Sequence, residues 1–116
     1  MKKNVFPIIV TILLLCLSCS KDEEGGQITT DPVDTDVTYS QIESIIQNRC
    51  GSCHGNPTAN GAPMSTNTYE TLKEAGEKRN LIGRIKSINN PMPPDGLLPQ
   101  EQIELIEGWV LGGYKQ

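Results

Sequence analysis

Aromatic residues are scarce in this chain of 116 residues: one Phe, one Trp and three Tyr. Beyond residue 38 the large rings are Tyr39, Tyr69, Trp109 and Tyr114 alone. A domain this small with so few bulky side chains cannot fill a core unaided, and needs a staple or a cofactor. Histidine is scarcer still, with His54 standing alone. A structural zinc site takes four ligands, commonly Cys and His, and after Cys50, Cys53 and His54 the chain offers no further Cys or His. No apolar run is long. The longest, Val5 to Leu17, has 13 residues, short of the roughly 20 that a membrane-spanning helix needs. A basic excess is also missing, which removes the electrostatic ground for nucleic-acid binding. No paired carboxylates, nucleophile with its base, or glycine-rich phosphate loop suggests an enzyme.

The apolar run follows Lys2 and Lys3 and reads as an export signal over residues 1–18. Cys16-Leu17-Ser18-Cys19 resembles a bacterial lipobox, with small Ser18 before the cysteine that takes lipid. Cys19 is therefore the expected lipidation site and the new first residue. Removing Lys2 and Lys3 leaves eight bases against fourteen acids, a net charge of −6. Six of those acids lie between Ser20 and Val37, facing Lys21 alone. With Ile28 and Val33 as its only aliphatics before Val37, this stretch has little to bury. Residues 19–37 are thus expected to be the lipidated cysteine and a disordered acidic tether, with the domain spanning 38–116. Cys19-Ser20-Lys21-Asp22-Glu23-Glu24 also resembles the signal that sends some Gram-negative lipoproteins to the cell surface. The expected location is the outer membrane, on its periplasmic face or at the cell surface.

From Tyr39 onward the apolar spacing is helical, and no segment alternates as a strand. Ser40 and Glu43 have capping-box spacing ahead of Ile42, Ile45 and Ile46. Thr68 is placed to cap a second helix with Tyr69, Leu72 and Ala75, which Gly76 would stop. Asn80 precedes a third, with Leu81, Ile82 and Ile85 on one side. The last starts near Pro99, carries Ile103, Ile106, Trp109 and Val110, and ends at Gly112-Gly113. The class is all-α, with four to five short helices.

Cys50-Gly51-Ser52-Cys53-His54 is the C-x-x-C-H pattern for covalent attachment of haem. Two thiols a helical turn apart can each add to a haem vinyl group, and the adjacent histidine then lies beneath the iron. A thioredoxin-like redox pair should follow a strand in a βαβ unit, and none is expected here. A structural disulfide would leave His54 without a role. One haem c per chain is the expected cofactor. For the sixth iron position Met64 and Met92 are available in the exported form. Met64 follows His54 too closely for an easy crossing to the other haem face. Met92 follows by 38 residues and sits among Pro91, Pro93 and Pro94, which stiffen its loop and lower the entropy lost on binding iron. Met92 is the expected ligand, with Met64 or an open iron as the alternatives.

Asn48 to Gly55, Met92 to Leu98, and Ile106 to Val110 followed by Gly112-Gly113 together resemble the class I cytochrome c domain, in its short bacterial form. The resemblance covers Tyr39 to Tyr114 and departs at Gly112-Gly113, where Gly-Ala is more usual. It implies a fold whose first and last helices cross near the haem, Met92 as distal ligand, and a non-enzymatic role in electron transfer with redox partner proteins. It also implies that a backbone carbonyl near a proline, at Ala62 or Pro63, accepts the His54 ring N–H. Lys78, Arg79 or Arg84 would be a partner for a haem propionate, and Trp109 is expected to pack at the helix crossing. An exchangeable sixth site in a haem enzyme or gas sensor, and a haem-bearing docking module, are the rival roles.

Overall fold

The computed structural model describes residues 32–116. The export segment, Cys19 and most of the acidic tether lie outside the described residues. Five helices follow one another: α1 (Tyr39–Arg49), α2 (Gly51–His54), α3 (Tyr69–Lys78), α4 (Leu81–Ile85) and α5 (Gln100–Leu111). Among the described residues there is no strand, only an isolated parallel bridge between Thr38 and Lys115. None of the described helices is long and apolar enough to cross a membrane. The chain is all-α, as its periodicity requires.

Ile42 and Ile46, one turn apart on α1, are both fully buried, and Ile45 packs beside them. They meet Ile103, Ile106 and Trp109 of α5 in one core with Leu72, Ile85 and Leu98. The cap of α1 is Thr38 and not Ser40: the Thr38 N–H donates to Gln41 Oε1 at 2.8 Å. Val37 just before the cap and Ile42 in the first turn are both buried, the spacing of a hydrophobic staple. Thr68 caps α3 as expected, its Oγ1 accepting from Thr71 N–H. Gly76 does not stop that helix, which runs on to Lys78. Its missing side chain makes room instead for the Tyr114 ring, which lies 2.6 Å from where a Cβ would stand.

The four rings are gathered at one end of the α1–α5 crossing. Trp109 lies 5.0 Å from Tyr114 and 6.1 Å from Tyr69 between ring centroids, both edge-on, and Tyr39 adjoins Tyr69 at 5.6 Å. Such edge-to-face contacts favour the quadrupoles of the rings. Two of the polar handles are hydrogen-bonded: Trp109 Nε1–H donates to the Lys115 carbonyl and Tyr69 O–H to the Tyr114 carbonyl, each at 2.8 Å.

The ordered domain begins before residue 38. Val37 is 1% exposed, and residues 34–37 lie along α5. A Cβ on Gly108 would collide with the Asp34 carbonyl, and one on Gly112 with the Thr35 carbonyl. These two glycines, one turn apart, let the incoming backbone approach the helix. Lys115 clasps it from the other side, with its ammonium on the Thr35 carbonyl at 3.2 Å and Asp36 at 2.7 Å. That ammonium holds the Asp36 carboxyl below its ordinary value, so the ion pair stands at neutral pH and is lost as acid protonates the carboxyl. The acidic segment was expected to be disordered to residue 37 because it is poor in aliphatics, but one valine and a glycine groove suffice to dock its end.

Gly108→Ala is expected to destabilise the haem-loaded domain by about 1–3 kcal/mol, the usual cost of overpacking. At about 4–8 °C per kcal/mol for a domain of this size, a thermal melt resolves it. Leu111→Ala, at a 63% exposed position on the same helix, should change the midpoint little. Equal effects would show that the groove is not tight.

Candidate cofactor site

Cys50 stands at the junction of α1 and α2. Its N–H donates back to Ile46 at 2.9 Å, and the His54 N–H donates to the Cys50 carbonyl at 2.8 Å. The helical path thus carries almost unbroken through the motif and sets the two sulfurs one turn apart. Both cysteines are free thiols and half-buried. Burial pushes the Cys50 thiol above its ordinary value, only partly offset by the neighbouring Arg49 charge. At neutral pH it is held protonated.

The segment from Gly55 to Asn67 is fastened to the motif by main-chain bonds. Ala59 N–H donates to the Cys53 carbonyl and Thr66 N–H to the His54 carbonyl, each at 2.8 Å. Between these points Asn60 and Gly61 take consecutive left-handed conformations, φ 52° and 75°, and reverse the chain. The turn delivers the Met64 carbonyl to His54 Nδ1 at 2.7 Å. A carbonyl can only accept, so Nδ1 carries the proton and Nε2 keeps its lone pair for a metal. The expected acceptor was Ala62 or Pro63; the turn carries it one residue further.

A cavity of about 410 Å³ opens beside the motif. Cys50, Cys53 and His54 line one part of it, and Ala62 and Pro63 another. Met92, Pro93, Pro94 and Asp95 complete the wall from the loop after α4. That loop is tied down where Met92 N–H donates to the Arg84 carbonyl at 3.2 Å. Met64 is not on the wall. Its place in the chain is taken up by the His54 hydrogen bond. Lys78, Arg79 and Arg84 are not on the wall either. Trp109 is fully buried away from the cavity and packs at the crossing.

Arg49 was not singled out from the sequence, yet it lines the cavity and its Nε is buried with no hydrogen-bond partner among the described residues. The signal was its position, last in α1 and immediately before Cys50.

These residues fit a covalently held haem. Two free thiols and a histidine lone pair share one largely apolar cavity wall. Among the described residues no group of three His, Cys, Asp or Glu side chains could hold a bare ion. A family model described as cytochrome C oxidase, cbb3-type, subunit III, matches residues 37–110. No curated protein and no solved structure gives a match. The matched span takes in most of the chain and every residue of the cavity wall, and the chain therefore belongs to this family of cytochrome c domains, which hold haem c covalently and transfer electrons.

Proposed function

We propose that this chain is a monohaem electron carrier tethered to the outer membrane through lipid on Cys19, with His54 and Met92 as the residues that would ligate the iron. One observation carries the ligand assignment. His54, its Nε2 left free, and Met92 lie on the wall of the same cavity, whereas Met64 does not. Haem supplies one-electron chemistry at its iron when bound. Cys50 and Cys53 would hold it through thioether bonds, each formed by adding the thiol across a vinyl double bond, with sulfur on one carbon and hydrogen on the other. The Met64 carbonyl fixes the plane of the His54 ring. Pro91, Pro93 and Pro94 limit the conformations open to the Met92 loop, and a thioether ligand paired with histidine would raise the potential. The apolar part of the walls would limit the water beside the ring. Redox proteins at the membrane surface are the expected partners.

The tether reading rests on Ser18-Cys19 after the apolar run, and on the acidic segment that follows. Membranes of cells making the protein should carry haem that survives acid–acetone extraction and gives a c-type spectrum in alkaline pyridine. Cys19→Ala should move that haem to the soluble fraction with its spectrum unchanged. Haem lost to the solvent would refute covalent attachment, and a Cys19→Ala protein still in the membrane would refute the anchor.

A further inference from the structure

The two attachment sulfurs do not have the same surroundings. Asn60 Nδ2–H donates to Cys53 Sγ at 3.4 Å, and the Ser52 hydroxyl stands 3.9 Å from the same sulfur. Among the described residues no side chain donates to Cys50 Sγ.

Asn60 is held to this contact by its neighbours. Ala59 N–H donates to the Cys53 carbonyl at 2.8 Å and Ala62 N–H to the Ala59 carbonyl at 2.9 Å, which fastens the turn onto the motif. The turn asks for a left-handed backbone at residue 60, φ 52°, which asparagine takes with little strain. Glycine would serve the backbone equally well. It does so at Gly61, φ 75°, where nothing lies within 4 Å of a Cβ. What asparagine adds at position 60 is an amide on the cavity wall.

The direction of that amide follows from chemistry. Cys53 is a free thiol in this structure, and once it has added to a vinyl group its sulfur has no proton to give. A thioether only accepts, and weakly, so the Nδ2 end of Asn60 is the end that can face it. The sulfur is then one carbon from the ring. The positive end of an N–H dipole beside it favours the form of the iron with the lower charge. We propose that Asn60 is a positioning residue for the redox reaction: its hydrogen bond to the Cys53 sulfur raises the reduction potential and makes the two thioether links electrically unequal. This rests on the haem-carrier reading.

The test uses the haem-loaded, full-length protein, first shown to hold covalent haem that is reversibly reduced. Absence of such haem refutes the carrier reading and this inference with it, and every later failure strikes this inference alone. Asn60→Gly keeps the left-handed backbone accessible and removes the amide. It should lower the potential, moving the redox equilibrium toward oxidised iron by about two- to tenfold, the range that the net worth of one hydrogen bond allows. A looser turn would also alter the potential, through the Met64 carbonyl on His54, and would do so whichever cysteine carries the haem. Forms with a single thioether separate the two routes. In Cys50→Ala, which keeps the Cys53 sulfur, Asn60→Gly should retain its effect, and in Cys53→Ala it should lose it. An equal effect in both forms, or an Asn60→Gly potential that is unchanged or raised, would overturn the proposal. Should either single-thioether form hold no haem, nuclear magnetic resonance of the reduced, unaltered protein decides. One Nδ2 proton of Asn60 should exchange with water more slowly than the other, and equally fast exchange of both would overturn the proposal.

Discussion

Changing Cys50 and Cys53 together to Ser is expected to abolish covalent haem and, with it, cooperative unfolding of the domain. The magnitudes favour this outcome. An apolar cavity costs about 24 cal/mol per Å³ when nothing fills it. For the 410 Å³ beside the motif that is about 10 kcal/mol as an upper limit, since water can enter past Asn48 and Asp95. Domains have about 0.05–0.15 kcal/mol of stability per residue, so the 85 described residues would hold roughly 4–13 kcal/mol in all. The two terms are of one size. The parts that would give way first are the segments from Gly55 to Asn67 and from Asn89 to Leu98, which contain no helix and meet across the cavity. The α1–α5 crossing and its four rings would remain as a residual core. Circular dichroism should therefore find some helix in the double variant but a broad thermal transition in place of a sharp one. A steep transition would mean that the protein core stands without its cofactor. Either single Cys→Ser change leaves one thioether and should keep a cooperative, less stable fold.

What could be read from the sequence was local. The attachment motif lies in five consecutive residues because both thiols and the ligand must fall within one helical turn. The helices followed from spacing: Ile42 and Ile46, Leu72 and Ala75, and Ile103 and Ile106 recur at three or four residues and are the positions that are buried. What escaped depends on partners far along the chain or on the backbone. Val37 belongs to the core because Gly108 and Gly112 leave a groove some seventy residues later. Gly76 resembled a helix stop, and its true constraint is the ring of Tyr114. The acceptor for His54 is a carbonyl, which every residue type supplies, so no side chain could have identified Met64. Thr38 rather than Ser40 caps α1 because the staple of Val37 sets where the helix begins. Arg49 escaped because a basic residue at a helix end is ordinarily a solvated one, and only the cavity shows its Nε to be enclosed.

Met92→Ala is expected to lower the reduction potential and open the sixth coordination position, whereas Met64→Ala should do neither. The loss of a thioether that favours the reduced iron should shift the redox equilibrium by about a hundredfold, roughly 120 mV at 59 mV per tenfold change for one electron. In the reduced state Met92→Ala should bind carbon monoxide rapidly and fully at neutral pH, and the unaltered protein slowly or in part. Met64→Ala is a demanding control. It lies on the segment that orients His54, but the hydrogen bond comes from its backbone carbonyl, which the substitution preserves. The spectrum and potential of that variant should stay close to those of the unaltered protein. The reverse pattern, with the sixth position opened by Met64→Ala and not by Met92→Ala, would assign the ligand to the wrong loop. Rapid, full binding of carbon monoxide to the unaltered protein would count against both methionines. It would favour a haem with an exchangeable site, and with it a sensor or an enzyme over a simple carrier. The proline-bound loop makes the first pattern the expected one: it is pinned at the Arg84 carbonyl, and it brings Met92 to the cavity at little further cost in entropy.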